Sequence, residues 1–326
     1  MKYLNNSSLL ITGGTGSIGK QLVKHLLKNT GVRRIAIFSR DELKQLNMRE
    51  EFNNDPRLRW FLGDVRDVNR LQRAFFQVDY VIHTAALKQV DTGEYNPIEF
   101  IKTNILGSQN VVEAAIETGV KRVIALSTDK ASSPINLYGA TKLTADKLFI
   151  SANNYGHPRG TVFSVVRYGN VIGSRGSVIP FFKELASIGK KIPITDLRMT
   201  RFWITIEHAT NFILDSLEIM QGGELFVPKI PSMKIIDLAN AINPGGEVYQ
   251  TGIRPGEKLH EEMISEDDSR RTYVLDDRYV VTPVSADWGF KVPKGVKFME
   301  EGKAYRSNTN DVWLSESEIK SFLVKS

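Results

Sequence analysis

Short apolar runs alternate with longer amphipathic segments through the first half of the chain. The short runs are rich in β-branched residues, which predicts buried strands, whereas apolar residues at every third or fourth position predict helices. Strand and helix alternate at roughly thirty-residue intervals, so we expect an α/β fold built on a doubly wound parallel sheet. The five predicted strands are Leu9–Ile11, Arg34–Phe38, Leu58–Leu62, Val78–His83 and Arg122–Leu126.

The regular alternation ends near residue 169. We therefore expect a first domain over residues 1–168 that holds the sheet, and a smaller C-terminal α/β domain over residues 169–326, with the chain free to cross back between them. In the second domain, Asn170–Ser177 is predicted to be a glycine-serine loop and Val178–Phe182 to open a helix. Ser315–Glu318 is predicted to cap a short final helix.

Composition narrows the possible functions. The 326 residues are 41% hydrophobic and 25% charged, as in an ordinary globular protein. The absence of cysteine excludes disulfides and zinc-thiolate sites, and we predict no metal site. A net charge of +6 suits anionic small molecules but is too small for a nucleic-acid binder. Because no apolar run approaches the roughly 20 residues of a membrane span, and no signal peptide is predicted, we expect a cytoplasmic protein.

A glycine-rich segment, Thr12–Gly19, lies between the first strand and a helix predicted over Lys20–Leu27. Two glycine spacings overlap in it, G-x-G-x-x-G from Gly14 and G-x-x-G-x-x-G from Gly13. In a strand–turn–helix context these glycines allow a tight turn and a close approach of the backbone to a pyrophosphate. The segment therefore predicts a dinucleotide site, with Gly13, Thr15, Gly16, Ser17, Ile18 and Gly19 as cofactor-binding candidates.

The end of the second strand bears on which dinucleotide binds. Ser39 and Arg40 come first, and Lys44 lies one helical turn beyond. A guanidinium is the natural partner of a 2′-phosphate, whereas an acid at this point binds the ribose hydroxyls of NAD. We predict NADP, bound through Ser39, Arg40 and Lys44, and Asp41 keeps NAD as the alternative.

The third and fourth strands supply further cofactor candidates at their ends. Asp64 is placed to contact an adenine amine, and Ala85 and Ala86 leave room for a ribose and a nicotinamide. His83 is expected to be a packed residue rather than a catalytic base. Ile98–Thr118 is predicted to be one long helix. Val65, Lys88 and Thr103 complete this group of candidates.

The fifth strand ends in a concentration of reactive side chains. Thr128, Asp129 and Lys130 follow one another at its exit. Tyr138 and Lys142 are four residues apart on a predicted helix, which places them on one face. We expect the nearby ammonium to lower the pKa of the Tyr138 phenol, so that this residue can act as a general base towards an alcohol.

Together these motifs resemble the extended short-chain dehydrogenases/reductases that act on nucleotide sugars. The common retaining 4,6-dehydratases carry Thr-Asp-Glu where this chain has Thr128–Lys130. The triplet in its context is similar to the inverting UDP-N-acetylglucosamine 4,6-dehydratases that begin pseudaminic acid biosynthesis. Asp91–Gly93 departs from their small apolar segment. The similar segments are STDKASSPINLYGATKL, Ala85–Val90, Arg167–Val171 and Arg254–Lys258.

The resemblance implies a role for each catalytic candidate. Tyr138 takes the proton of the sugar C4 hydroxyl while NADP accepts the C4 hydride, and Lys142 lowers the Tyr138 pKa and holds the nicotinamide ribose. Thr128 hydrogen-bonds the C4 oxygen. The C4 ketone acidifies C5, whose proton Lys130 removes as a neutral amine. Protonated Asp129 donates to the departing C6 hydroxyl, and the hydride returns to C6. Which residue returns a proton to the opposite face of C5 stays open.

The second domain is expected to bind UDP-N-acetylglucosamine, and a homo-oligomer is expected by analogy. The implied product is UDP-2-acetamido-2,6-dideoxy-β-L-arabino-hex-4-ulose. The arginines suit a diphosphate because their planar donors match oxygen anions. The substrate-binding candidates are Lys88, Asn170, Thr195, Arg201, Arg254 and Glu257.

Three alternatives stay open from the sequence. A UDP-sugar 4-epimerase on the same scaffold would need neither an acid at C6 nor a base at C5, so Asp129 and Lys130 count against it. A retaining 4,6-dehydratase is a second alternative. A non-catalytic NADP-binding regulatory protein is the third, and the intact Thr128, Tyr138 and Lys142 count against it. Fold alone decides none of these.

Overall fold

The computed structural model describes residues 1–173 and 178–325, with side chains up to Leu323. The strands are β1 Ser8–Thr12, β2 Arg34–Ser39, β3 Leu58–Leu62, β4 Tyr80–His83, β5 Arg122–Thr128, β6 Val162–Tyr168, β7 Asn170–Val171, β8 Ile192–Ile194, β9 Thr200–Ile204, β10 Leu225–Pro228, β11 Ser232–Lys234, β12 Val248–Gln250, β13 Glu262–Ile264, β14 Thr272–Val274, β15 Arg278–Val281, β16 Lys297–Phe298 and β17 Tyr305–Arg306.

The helices are α1 Ser17–Asn29, α2 Glu42–Glu51, α3 Val68–Phe75, α4 Val90–Tyr95, α5 Pro97–Phe100, α6 Gly107–Thr118, α7 Leu137–Ser151, α8 Asn153–Gly156, α9 Val178–Ser187, α10 Ile206–Ile219, α11 Ile235–Ile242, α12 Glu266–Ser269 and α13 Glu316–Lys325. Short 3₁₀ turns lie at Lys2–Leu4, Asp129–Ala131 and His157–Arg159. In the described ranges, no helix combines the length and the apolar character that a membrane span requires.

A large sheet forms the centre of the molecule, with the strand order β16-β14-β15-β10-β6-β5-β4-β1-β2-β3. The strands from β3 to β10 in this order pair in parallel, and β15, β14 and β16 extend the sheet with antiparallel pairs. All of β1 and most of β5 and β6 are buried, as expected for parallel strands covered by helices on both faces. The predicted doubly wound α/β fold is confirmed.

The second half of the chain has a core of its own and also returns to the central sheet. Strands β10, β14, β15 and β16 all come from beyond residue 169. A separate apolar cluster joins Ile179, Ile194 and Trp203 to Ile319 of α13. In that last helix, Ser315 and Glu318 exchange the reciprocal bonds of a capping box, at 2.8 and 3.3 Å. The boundary between residues 168 and 169 stays a prediction.

The helix predicted over Ile98–Thr118 is not regular. It is α5, then a π-helical turn at Ile101–Leu106, then α6. The wide turn presents Asn104, whose side chain accepts from the backbone N–H of Leu87 and donates to the Leu87 carbonyl, both at 2.9 Å. The same amide nitrogen lies 3.1 Å from the Thr141 hydroxyl. The irregular turn therefore fixes the loop after β4 to helix α7, as π turns near functional sites often do.

Candidate active site

A cleft of about 820 Å³ opens beyond the carboxyl ends of the parallel strands. This is where ligands bind in doubly wound folds, because the loops that follow neighbouring strands meet there. The structure brings most of the predicted residues to its walls: Gly13, Thr15, Gly16, Ser17, Ile18, Gly19, Lys44, Ala85, Ala86, Lys88, Thr128, Asp129, Lys130, Tyr138, Lys142, Asn170, Arg201, Arg254 and Glu257. Ser174, Arg175, Gly176 and Ser177 of the predicted glycine-serine loop lie outside the described residues.

The other predicted residues do not line the cleft; they are Ser39, Arg40, Asp64, Val65, Thr103 and Thr195. Thr103 is buried, and its hydroxyl accepts two hydrogen bonds from the Arg66 guanidinium, at 2.6 and 3.0 Å. The Ser39 hydroxyl accepts from the Gln45 amide at 3.0 Å. Thr195 follows β8, where its carbonyl accepts from Gly252. The Thr103 hydroxyl serves the fold, so Thr103 is removed from our list of ligand contacts, whereas the role of the Thr195 side chain stays a prediction.

The glycine turn has the geometry of a phosphate cradle. Gly13 has a φ of +65°, and a Cβ there would lie 2.8 Å from the Thr84 hydroxyl. A Cβ on Gly19 would lie 2.4 Å from the Gly14 carbonyl oxygen, so the start of α1 requires glycine as well. Gly16 differs, because its Cβ would meet only the Gly13 carbonyl, at 3.2 Å, and would otherwise occupy the cleft. The turn therefore leaves space for a group that approaches the backbone at the α1 N-terminus.

The two charged residues that follow β2 have different surroundings. The Asp41 carboxylate caps α2 by accepting from the Lys44 backbone N–H at 2.9 Å, and it pairs with the Lys44 ammonium at the same distance. Arg40 is half exposed and lies 3.5 Å from the Asp64 carboxylate. The acid that would bind a ribose is thus engaged in helix capping, whereas Arg40 is held at the surface by a weak, screened ion pair.

The turn after β5 concentrates charge at one end of the cleft. The Thr128 hydroxyl donates to Asp129 Oδ1 at 2.9 Å, and Lys130 Nζ lies 3.2 Å from the same oxygen. Glu261, a residue that the sequence analysis missed, places Oε1 at 3.2 Å from Lys130 Nζ. Asp129 Oδ2 and Glu261 Oε2 are buried without a hydrogen-bond partner in the described residues. Two buried carboxylates therefore face one ammonium.

This arrangement corrects the predicted state of Lys130. Burial opposes its charge, but Asp129 and Glu261 outweigh burial and raise the pKa of the Lys130 ammonium well above its usual range. The prediction of a neutral amine beside Lys142 is therefore wrong, because the neighbours of Lys130 are carboxylates. Burial raises the pKa of Asp129, which supports the protonated acid expected there. The pKa of Glu261 is lowered, since Lys130, Arg201 and Lys258 together overcome its burial.

Tyr138 and Lys142 occupy one face of α7, as predicted, but their electrostatics differ from expectation. Burial raises the pKa of Tyr138 to about 12, and the cation with the largest opposing effect is Lys130. Lys142 is buried and donates to the Leu126 carbonyl at 2.7 Å. Its own pKa is lowered by burial, which Asp146 partly offsets. We had predicted that Lys142 lowers the Tyr138 pKa. In the structure the cation with this effect is Lys130.

His83 is a packed residue, as expected. It is 1% exposed at the end of β4, and Nδ1 lies 2.8 Å from the Thr12 hydroxyl. The Ser108 hydroxyl lies 3.4 Å from Nε2. Burial, and then the charge of Lys142, lower its pKa to about 3. His83 is therefore neutral in the folded protein throughout the physiological range.

We expect His83 to make the fold sensitive to acid. Below the ordinary histidine pKa of 6.5 the unfolded chain binds a proton that the folded chain refuses, so stability is lost as pH falls. The loss from this residue is about 2 kcal/mol between pH 6.5 and pH 5. Denaturant unfolding of wild type and His83→Gln across this range measures it. Equal slopes of free energy against pH in the two proteins would contradict this assignment, because all other groups are unchanged.

The segment from residue 254 to residue 261 also lines the cleft, through Arg254, Pro255, Gly256, Glu257, Lys258 and Glu261. Arg201 on β9 holds it in place: its guanidinium donates to the carbonyls of Lys258 and Leu259 and lies 3.4 Å from a Glu257 carboxylate oxygen. From the N-terminus of α7, the Asn136 amide donates to the Gly256 carbonyl at 2.7 Å. Glu261 is not among the residues predicted from the sequence. The available signal was the Glu261–Glu262 pair entering an apolar strand.

The chain is similar to known proteins over most of its length. The chain matches the family described as polysaccharide biosynthesis protein over residues 9–283. It is 55% identical over 324 residues to an inverting UDP-N-acetylglucosamine 4,6-dehydratase of Campylobacter jejuni, covering 97% of this chain and 96% of the relative. It is 41% identical over 305 residues to a UDP-glucose 4-epimerase of Rickettsia massiliae, covering 91% of this chain and 88% of that one.

Solved structures give the same picture of the fold. Pen from Bacillus thuringiensis superposes with a TM-score of 0.90 at 37% identity and covers 99% of this chain and 98% of its own. The NAD-bound dTDP-glucose 4,6-dehydratase of Streptomyces venezuelae has a TM-score of 0.70 at 25% identity, covering 77% of this chain and 86% of its own. The chain belongs to the polysaccharide biosynthesis protein family of extended short-chain dehydrogenases/reductases, in the group that contains the inverting UDP-N-acetylglucosamine 4,6-dehydratases.

Proposed function

We propose that the protein is a lyase that removes water across C5 and C6 of UDP-N-acetylglucosamine and inverts C5. The observation that carries the proposal is the juxtaposition of Asp129 and Lys130 with Thr128 and Tyr138 in one cleft. Dehydration needs an acid at C6 and a base at C5 in addition to the groups that oxidise C4, and we assign these roles to residues that line this cleft. The identity of 55% with a relative of that name supports the same reaction.

Each catalytic residue has a separate role in this reaction. A bound nicotinamide supplies the hydride acceptor at C4 and later the hydride donor at C6. Tyr138 takes the proton of the C4 hydroxyl, and Thr128 orients the C4 oxygen. Lys142, buried at the base of the cleft, holds the ribose of the cofactor. Lys130 first loses a proton to solvent and then, as the amine, removes the C5 proton, while protonated Asp129 donates its proton to the departing C6 hydroxyl.

We assign the rest of the cofactor and substrate to other residues that line the cleft. The glycine turn from Gly13 to Gly19 holds the cofactor pyrophosphate at the α1 N-terminus. Arg254 and Glu257 line the same cleft and bind the UDP part of the substrate, and Lys88 and Asn170 are further substrate contacts. The Arg201 guanidinium is largely occupied by backbone carbonyls, so we assign it to the shape of the cleft wall.

We propose NADP as the cofactor, because Asp41 is occupied as a helix cap and Arg40 is exposed beside it. Replacing Arg40 with alanine is expected to weaken NADP binding about tenfold or more and to leave NAD binding nearly unchanged, since only NADP carries the 2′-phosphate. Titration of each cofactor into wild type and Arg40→Ala measures the effect. Arg33, an exposed arginine just before β2, offers the matched control as Arg33→Ala. Equal losses for both cofactors would rule out the phosphate contact.

One assay tests the reaction. The purified protein is incubated with UDP-N-acetylglucosamine in deuterated water and followed by NMR. We expect a 6-deoxy-4-keto sugar with deuterium at C5 and the L-arabino configuration. A product with retained configuration at C5 would indicate a retaining dehydratase. If the protein binds the cofactor but does not turn over the sugar, the result would favour a non-catalytic, NADP-binding regulatory protein.

A UDP-sugar 4-epimerase is the second candidate, favoured by the relatives of that name at 41% identity. In the same assay it gives the galacto epimer with no deuterium at C5. The buried Asp129–Lys130–Glu261 cluster counts against it, because epimerisation at C4 uses neither an acid at C6 nor a base at C5. We further propose that the product feeds the biosynthesis of a pseudaminic acid-type sugar and that the protein acts as a homo-oligomer in the cytoplasm, as the resemblance implies.

A further inference from the structure

The segment that carries Asp129 and Lys130, residues 129–133, has little regular structure of its own; we call it the catalytic turn. It begins with a single 3₁₀ turn, in which the backbone N–H of Ser132 donates to the Asp129 carbonyl at 3.2 Å. Ser133 then has a φ of +41°, in the left-handed region that is unfavourable for a residue with a side chain. Such a backbone persists only where its surroundings hold it. The contacts that hold this turn therefore decide where its two reactive side chains lie.

These contacts come from the start of β13 and from the residues just before it. Glu262 is buried on β13, and its Oε1 accepts from the hydroxyls of Ser132 and Ser133, at 2.8 and 2.7 Å. Lys258 Nζ donates to the Ser132 carbonyl at 2.5 Å. Glu262 lies 130 residues beyond Ser132 in the chain. The second half of the chain thus holds the catalytic turn from outside.

Glu262 is itself held by an arginine. Arg306 Nε of β17 donates to Glu262 Oε2 at 2.8 Å, and β17 pairs with β13. Another nitrogen of the same guanidinium lies 3.2 Å from the Glu266 carboxylate. One oxygen of Glu262 therefore takes the two serine hydroxyls and the other takes the guanidinium. With both oxygens occupied, this buried carboxylate connects β17 to the catalytic turn in one fixed position.

The groups for the two halves of the proposed reaction lie on different elements. Thr128 is the last residue of β5, and Tyr138 and Lys142 lie on α7. The central sheet and this helix hold the groups that oxidise C4. Asp129 and Lys130, which act at C6 and C5, lie on the catalytic turn itself. A displacement of the turn by about 1 Å would slow their step about 100-fold and leave the oxidation of C4 nearly untouched.

We propose that Glu262 is a positioning residue, which binds the Ser132 and Ser133 hydroxyls and so holds the catalytic turn in place for the elimination of water. This role rests on the dehydratase function proposed above. Glu262 exchanges no proton with the substrate. Its effect is on the elimination across C5 and C6, whereas the oxidation of C4 depends on groups that other elements hold.

The test follows both half-reactions in cofactor-loaded, full-length proteins mixed with UDP-N-acetylglucosamine. The absorbance of reduced nicotinamide measures the oxidation of C4, and NMR of the sugar measures elimination. In Glu262→Ala the two hydroxyls lose their acceptor, so we expect kcat for dehydration to fall about 100-fold. Oxidation of C4 and KM should stay close to the wild-type values, so that reduced nicotinamide accumulates. A fold defect without a positioning role would lower both rates together.

Glu262→Gln is the conservative variant. Its amide oxygen can still accept from both serine hydroxyls, and only the charge that pairs with Arg306 is lost. We expect it to dehydrate the sugar within about tenfold of the wild-type rate. Glu266→Ala is the matched control, because it removes the other carboxylate partner of Arg306 and no contact of the catalytic turn. It should behave as wild type in both measurements.

Ser133→Ala keeps the test decisive if Glu262→Ala does not retain its cofactor after gel filtration. It removes one hydroxyl and leaves Glu262 bonded to Ser132 and Arg306, so we expect the same separation of rates with a loss of about tenfold in dehydration.

The outcomes separate the two proposals. Folded variants that dehydrate the sugar at the wild-type rate, or that lose both half-reactions by the same factor, overturn the positioning role alone. A Glu262→Gln protein no faster than Glu262→Ala also overturns it. Failure of the cofactor-loaded wild type to dehydrate the sugar overturns the dehydratase function, and this role with it.

Discussion

Lys130→Ala is expected to abolish dehydration while the first step continues. Product formation should fall about 10³-fold or more, since no amine remains to take the C5 proton. Tyr138, Thr128 and Lys142 are untouched, so hydride can still leave C4, and the bound nicotinamide should become reduced on mixing with UDP-N-acetylglucosamine. The near-ultraviolet absorbance of the reduced cofactor measures the first event, and NMR of the sugar measures the second.

Lys130→Arg is the matched control. A guanidinium keeps a positive charge between Asp129 and Glu261 but does not give up a proton in proteins. We therefore expect it to be as inactive as the alanine variant and more stable, because the buried Glu261 carboxylate keeps a cationic partner. If Lys130→Arg dehydrates the sugar at the wild-type rate, Lys130 contributes charge alone and its assignment to C5 fails.

Tyr138→Phe is expected to stop the reaction one step earlier. The hydroxyl is removed, while the ring keeps its edge contact with Phe100, whose centroid lies 6.5 Å away. Turnover should fall by about 10²–10⁴-fold, the usual contribution of a positioned acid or base. Unlike Lys130→Ala, this variant should give no reduced nicotinamide on mixing, because the C4 hydroxyl keeps its proton.

Tyr155→Phe provides the comparison for this variant, since Tyr155 lies on α8 and is 47% exposed. It should behave as wild type in both measurements. Reduction of the nicotinamide by Tyr138→Phe at the wild-type rate would show that another residue accepts the C4 proton. Together with the Lys130→Ala result, this comparison shows whether the proton of the C4 hydroxyl is transferred before the proton of C5.

The sequence predicted β1 to β5 of the central sheet, because these strands are mostly short apolar runs, but it did not predict β6, β10, β14, β15 or β16. Leu58–Leu62 is matched residue for residue, and Arg34–Phe38 and Arg122–Leu126 differ only at their ends. The glycine turn was predicted equally well, because a glycine-rich segment between a strand and a helix can adopt few other structures. Local pattern sufficed where the structure is locally determined.

The charge of Lys130 could not be predicted in the same way. Asp129 is adjacent in sequence, but Glu261 arrives from far along the chain, just before a strand too short to carry a pattern. With Lys142 as the assumed neighbour the lysine was predicted neutral, and with Glu261 in place it is charged. Thr103 was misplaced for a related reason, because regular helical spacing does not reveal a π turn.

That π turn has a consequence for how relatives can diverge. Asn104 meets both backbone groups of Leu87 only because the wide turn sets its angle about the helix axis. Deleting one residue between Phe100 and Gly107 would restore regular winding and swing Asn104 through about 100°. Side chains on the outer surface there can change freely. The length of that stretch, by contrast, is expected to stay constant wherever the loop after β4 serves the same ligand.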